Sequence, residues 1–261
     1  MSEEALHHLI LFYDIQGSAG LTNPEKLVAR RVLQDCCTGA LESASIPADR
    51  VSVKDLGDGA MVLFTAEVPK SQVLGAWLSE FHALLQRAYE RSTRPFQVRL
   101  AVHSGELHPS LNEHTGTALD FTARLVDAPV AKRLLASTPS ASLAVIVSDV
   151  VYDQVVRHGG GGLAPTSFSP ITVQVKETDT SAWLHLPGWT RVPMPPDAEG
   201  ADRPGRSSGS PGTSGKTNSA DSPGPDVLKD GVSVSGGVVG VIGTSTVHGP
   251  FTVGGSPDGA K

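Results

Sequence analysis

The chain has 261 residues with a formal net charge of −6 and a sequence pI near 5.8, a balance that excludes the basic face of a nucleic-acid binder. Leu, Phe, Trp and Tyr concentrate before residue 190, so one core and one domain (6–190) are expected. No apolar run approaches the roughly 20 residues needed to cross a bilayer. The acidic Met1-Ser-Glu-Glu start is unlike a secretory signal, and the expected location is the cytoplasm.

In chain order, His8–Tyr13 is an apolar run of strand length that ends at Asp14. Asn23-Pro24-Glu25 then reads as a helix start, with Asn23 as cap and Pro24 in the first turn; Leu27, Val28, Arg31, Val32, Asp35 and Cys36 follow at helical spacing. Cys36 and Cys37 are neighbours on that helix and point to different faces, so they read as small core residues, not a disulfide. Val51–Lys54 and Ala60–Phe64 form a predicted hairpin around Gly57-Asp58-Gly59. Val73–Tyr89 is an amphipathic helix whose stripe holds Leu74, Trp77, Leu78, Phe81, Leu84 and Leu85. Strands are expected over Phe96–Val102 and Ser142–Ser148, a helix over Thr117–Leu125, and a closing hairpin from Ile171–Val175 and Ala182–Leu186. Gly159–Gly162 lacks the following Lys-Ser/Thr of a phosphate loop and reads as a flexible connection. Together these elements predict an α+β, ferredoxin-like sandwich, a mostly antiparallel sheet with helices on one face.

Two carboxylates carry the candidate chemistry. Asp14 ends a strand and is followed by Ile15-Gln-Gly17-Ser18, while Asp58 sits between glycines in a hairpin turn. If those strands are neighbours, both side chains reach one sheet edge and can share a pair of divalent cations. The Ile15–Gly20 turn and the start of the next helix would face phosphate. Taken singly, Asp58 is equally a turn residue and Asp14 a strand-end cap. The neighbouring His103 and Ser104 face opposite sides of a strand and cannot cooperate as a nucleophile pair.

Phe12-Tyr-Asp-Ile-Gln-Gly-Ser18 resembles the first metal-binding motif of class III adenylyl/guanylyl cyclases, and Lys54-Asp-Leu-Gly-Asp-Gly-Ala60 their second. Val98-Arg-Leu-Ala-Val-His-Ser-Gly-Glu106 is similar to the family's central strand, and Gly116–Leu125 to the helix bearing its transition-state residues. The resemblance implies that Asp14 and Asp58 hold two Mg²⁺ or Mn²⁺ with help from the Ile15 carbonyl. It implies that Gly17 and Ser18 approach the phosphates, that Lys54 and Glu113 select the base, and that Arg124 stabilises the transferring phosphoryl group. It also implies a homodimer, a nucleoside triphosphate substrate and a 3′,5′-cyclic nucleotide product; the acidic charge balance and the lack of a long apolar run leave no expected role for nucleic acid or membrane.

Two positions depart from the family pattern. Asp120 stands where the family usually has asparagine, and an ionised carboxylate there donates no hydrogen bond and could instead pair with Arg124. Val175-Lys-Glu-Thr178 stands where a Val-Lys-Gly-Lys sequence is usual, so Thr178 replaces a phosphate-gripping lysine. A cyclase with an intact metal half is one reading; a catalytically silent nucleotide sensor is the alternative.

Residues 191–226 are rich in Pro, Gly and Ser and read as a disordered linker. Residues 227–255 are rich in Gly and Val, and Val247-His-Gly-Pro-Phe-Thr-Val-Gly254 resembles the short amyloid signalling motifs of bacterial immunity proteins. That resemblance implies recruitment of an effector protein by strand addition; a small hairpin or an unstructured tail are the other readings.

Overall fold

The computed structural model describes residues 4–110 and 114–193, and the linker and tail expectations from residue 194 onward lie outside them. The first half runs β1 (Leu6–Ile15), α1 (Asn23–Ser43), β2 (Val51–Asp55), β3 (Gly59–Thr65), α2 (Lys70–Gln72), a π-helical turn (Val73–Trp77), α3 (Leu78–Arg91) and β4 (Val98–Pro109). The second half adds β5 (His114–Thr115), α4 (Thr117–Val126), α5 (Pro129–Ser137), β6 (Leu143–Ser148), α6 (Asp149–Gln154), β7 (Phe168–Val175) and β8 (Thr178–His185). The sheet order is β2-β3-β1-β4-β6-β8-β7, with β5 paired to β4. Within it β2, β3, β1 and β4 have the order of a ferredoxin-like βαββαβ unit, and every pair in the sheet is antiparallel except β4 with β6.

Why the central strands read as unbroken apolar runs is clear from their two buried faces. Leu9, Leu11, Tyr13 and Ile15 on β1 turn toward α1, α3 and α6 together with Val62, Phe64, Leu100 and Val145. Their alternates face the other way. Ile10, Met61 and Leu63 pack on Ala118 of α4, while Ala101 and Ile146 pack on Leu125, Leu134 and Leu135 of α4 and α5. Of the three expected helices, α1 and α3 lie on one face, joined by α6, whereas α4 lies on the opposite face with α5, so both faces of the sheet are covered. The parallel β4–β6 pair requires this, because its strands must be joined by a crossover, which α4 and α5 supply.

Local details depart from the sequence expectation in three places. The cap of α1 is Thr22, not Asn23: Glu25 Oε2 accepts from the Thr22 backbone N–H at 2.8 Å, the reach-back of a capping box. Leu27 and Val28 are 65% and 64% exposed; the inward stripe of α1 is Ala29, Leu33, Cys36, Cys37 and Ala40. Gly159–Gly162 forms tight 3₁₀ turns instead of a free loop, and Gly161 (φ 71) packs against Gly75 of the π-turn. A β-carbon on Gly75 would lie 2.7 Å from the Gly161 carbonyl oxygen, so both positions need glycine. Trp77 is fully buried and stacks on Phe81 at 4.9 Å, the centre of the α3 stripe. Trp183 stacks on Tyr152 at 3.6 Å, whereas Trp189 is 38% exposed. Cys36 and Cys37 are buried free thiols. Among the described residues no helix is long and apolar enough to cross a membrane.

Candidate functional site

The end of β1 lies between two neighbours that could hardly differ more. Asp14 faces Gly59 of β3 on one side and Arg99 of β4 on the other. A β-carbon on Gly59 would come within 1.9 Å of the Tyr13 carbonyl oxygen, so only glycine lets the Asp58 turn close on β1. The closure is fixed by the Ile15 N–H, which donates to the Asp58 carbonyl at 3.0 Å. Asp14 and Asp58, 44 positions apart by number in the sequence, are thereby brought to one end of the sheet.

Their side chains are held differently. The Arg99 guanidinium donates through Nη2 to Asp14 Oδ2, and through Nη1 to the Val126 carbonyl at 3.0 Å. Arg99 Nη1 also lies 3.6 Å from Asp127, which Lys132 approaches at 3.0 Å. Asp14 Oδ1 is buried and has no hydrogen-bond partner in the described protein. Burial pushes the Asp14 carboxyl up to about 6; Arg99 opposes that rise, whereas Asp127 and Asp58 add to it. Asp58 is exposed, and Ser18 Oγ donates to its Oδ2 at 2.5 Å.

These donors suit a hard divalent cation. A buried carboxylate oxygen without a partner is costly unless something positive meets it, and oxygen-only donors match Mg²⁺ or Mn²⁺. Among the described residues no group of three or more His, Cys, Asp and Glu side chains converges, so a cation pair here would rely on Asp14, Asp58 and a backbone oxygen such as that of Ile15. The turn after β1 is shaped by Gly17 at φ 70 and a 3₁₀ turn over Ser18–Gly20. The amides of Ile15, Gln16 and Gly20 are already engaged with Asp58, Gln97 and Gly17 carbonyls, which narrows the turn's phosphate-facing candidates to Gly17, Ser18 and Ala19. Glu25 occupies the first turn of α1 and pairs with Arg94, so the start of that helix is less welcoming to an anion than the sequence implied.

Lys54, Asp120 and Arg124 lie on other elements. Lys54 is exposed on β2, the edge strand, in register with Met61. Glu113 lies outside the described residues. Asp120 and Arg124 are both on α4, yet Arg124 does not pair with Asp120. Its Nη2 pairs with Glu177 and its Nη1 donates to Thr178 Oγ1 at 3.1 Å, both at the β7–β8 turn. Lys176, the cation left in that turn, is exposed and takes a left-handed φ of 53. His103 bonds to Ser148 Oγ at 2.9 Å, not to Ser104; Ser148 caps α6 and is buried, so the contact is structural. Burial pushes the His103 imidazole down to about 4, which keeps it neutral.

Arg99 was not singled out from the sequence as a site residue, although a signal existed. It is the one charged residue in the apolar run Val98-Arg-Leu-Ala-Val102, and a buried strand tolerates such a residue only when it has a partner. Glu177 carried no separate signal beyond its place in a departing motif.

The sequence matches no protein-family model and no curated protein. Solved structures do match. An adenylate/guanylate cyclase/hydrolase from Silicibacter pomeroyi is 20% identical, over 71% of this chain and 99% of that one, with a TM-score of 0.53. The guanylyl cyclase Cya2 is 16% identical, over 70% of this chain and 92% of that one, with a TM-score of 0.50. The described domain thus has the fold of adenylyl and guanylyl cyclase catalytic domains.

Proposed function

We propose that residues 6–190 form a nucleotidyl cyclase domain that converts ATP, or GTP, to a 3′,5′-cyclic nucleotide as a homodimer. The observation that carries this reading is the meeting of Asp14 and Asp58 at one sheet end with the buried Asp14 Oδ1 unpartnered. Asp14, Asp58 and the Ile15 carbonyl would hold two Mg²⁺ or Mn²⁺, which would neutralise the triphosphate and acidify the ribose 3′-hydroxyl. Arg99 keeps Asp14 Oδ2 occupied, so Oδ1 is the oxygen that would be left to a cation, while Ser18 donates to Asp58. The 3′-oxygen bonds to the α-phosphorus, the bond from that phosphorus to the β-phosphate bridging oxygen breaks, pyrophosphate leaves, and the hydroxyl proton passes to solvent. Gly17 and Ser18 approach the phosphates, Lys54 and Glu113 read the base, and Arg124 meets the charge that develops on the transferring group.

A second reading is favoured by one contact. Arg124 is held by Glu177, and Asp120 on the same helix adds negative charge where the family usually has asparagine. On that reading the domain binds nucleotide without turnover and residues 227–255, beyond a linker at 191–226, recruit an effector by strand addition in bacterial intracellular or immune signalling. Purified full-length chain incubated with ATP or GTP and Mn²⁺ separates the two. Cyclic product that disappears in Asp14→Ala supports the cyclase; nucleotide binding without product supports the sensor; neither binding nor product refutes both.

A further inference from the structure

We infer that Glu177 is an internal anion that occupies the phosphate-recognising face of Arg124, and that a triphosphate must displace it before Arg124 can act. The inference rests on the cyclase-like reading of Arg124 given above and adds a residue that controls it. A guanidinium presents a planar fork that takes a carboxylate or a phosphate in the same manner, so the two compete for one set of donors. In this chain both terminal nitrogens are already engaged: Nη2 pairs with the Glu177 carboxylate and Nη1 donates to Thr178 Oγ1. The Arg124 side chain is 28% exposed and that of Glu177 is 67% exposed.

That asymmetry decides how the contact behaves. Arg124 is anchored on α4 by its neighbours Thr122, Leu125 and Val126, which are buried. Glu177 stands at the tip of a two-residue connection between β7 and β8, beside Lys176 in a left-handed conformation. The pair is solvated, so its net strength is small, and a multiply charged triphosphate can exchange with it; a buried pair would be fixed. Glu177 therefore acts as a removable guard that raises the triphosphate concentration at which Arg124 engages. Thr178 remains as a neutral acceptor when the carboxylate leaves.

Binding of 3′-deoxy-ATP, which cannot cyclise, is measured by calorimetry with Mn²⁺ on the full-length chain and on Glu177→Gln, Arg124→Gln, the double variant and Asp58→Ala. Glu177→Gln keeps the side chain's shape and an acceptor oxygen but removes its charge. It is expected to tighten binding about two- to fivefold, the size of an exposed ion pair. The gain should vanish in the double variant, which a purely structural role for Glu177 does not predict. Unchanged or weaker binding in Glu177→Gln, or a gain that persists without Arg124, overturns the guard. Normal binding in Asp58→Ala would overturn the cyclase-like site itself while leaving the Glu177 comparison readable; no binding in any variant overturns both.

Discussion

Replacing Asp14 with asparagine should stabilise the metal-free protein at neutral pH while removing its response to Mn²⁺. The Asp14 carboxyl rises from its ordinary 3.8 to about 6, because burial disfavours its charge more than Arg99 favours it. At about 1.4 kcal/mol per unit, that rise makes the ionised residue roughly 3 kcal/mol less favourable in the fold than in water. The sign follows from the direction. A carboxyl whose folded value is raised gives its stabilisation fully below 3.8 and loses it as pH climbs through about 6. Asparagine has no charge to bury and leaves the buried Arg99 without its counter-charge just as the protonated carboxyl does, so Asp14→Asn and the parent should be close in stability near pH 4. Between pH 4 and pH 7 the variant should gain up to roughly 3 kcal/mol over the parent. Urea unfolding in chelator, repeated across that range, measures the difference. Adding Mn²⁺ at pH 7 should then raise the stability of the parent and leave the variant unmoved, because only the parent offers Oδ1 as an anion. A pH-independent difference, or equal stabilisation of both proteins by Mn²⁺, would refute the buried-carboxylate account of this site.

Gly59→Ala places a β-carbon against the Tyr13 carbonyl, so it should either unfold the domain or part β3 from β1, costing more than about 2 kcal/mol and the Mn²⁺ response together; thermal melts with and without Mn²⁺ read both effects. Gly161→Ala, at φ 71 and tight against Gly75, should lower the melting temperature by an amount equal to at least about 1 kcal/mol without altering Mn²⁺ affinity, since it lies at the π-turn and not at the Asp14 end. Burial pushes the Cys36 and Cys37 thiols up to about 11, so a disulfide reagent at pH 8 should label neither until denaturant is added; rapid labelling of the native chain would contradict their place in the core.

Strand positions were legible because the central strands are buried on both faces. A run such as His8–Tyr13 then needs no periodicity to be recognised, and the β2–β3 hairpin is announced by Gly57-Asp58-Gly59. The inward side of α1 was harder to read. Leu27 and Val28 are apolar yet exposed, while the packing falls to small residues, Ala29, Cys36, Cys37 and Ala40, that carry little hydrophobic signal. The helices α5 and α6 span 9 and 6 residues, too short to establish a period, and their existence is dictated by the crossover to β6 and by the Ser148 cap. At the site, the meeting of Asp14 and Asp58 could be reasoned from strand ends, because register alone joins them. The partners Arg99 and Glu177 could not, since each acts through a contact across 85 and 53 positions that no local pattern encodes.

The most direct test of the cation site is diffraction from crystals of the full-length chain grown with Mn²⁺ and 3′-deoxy-ATP, with data collected for the anomalous signal of manganese. The account predicts peaks between the Asp14 and Asp58 carboxylates, with Asp14 Oδ1 as a ligand and Arg99 still on Oδ2. Manganese bound elsewhere, with Asp14 Oδ1 left bare, would contradict it.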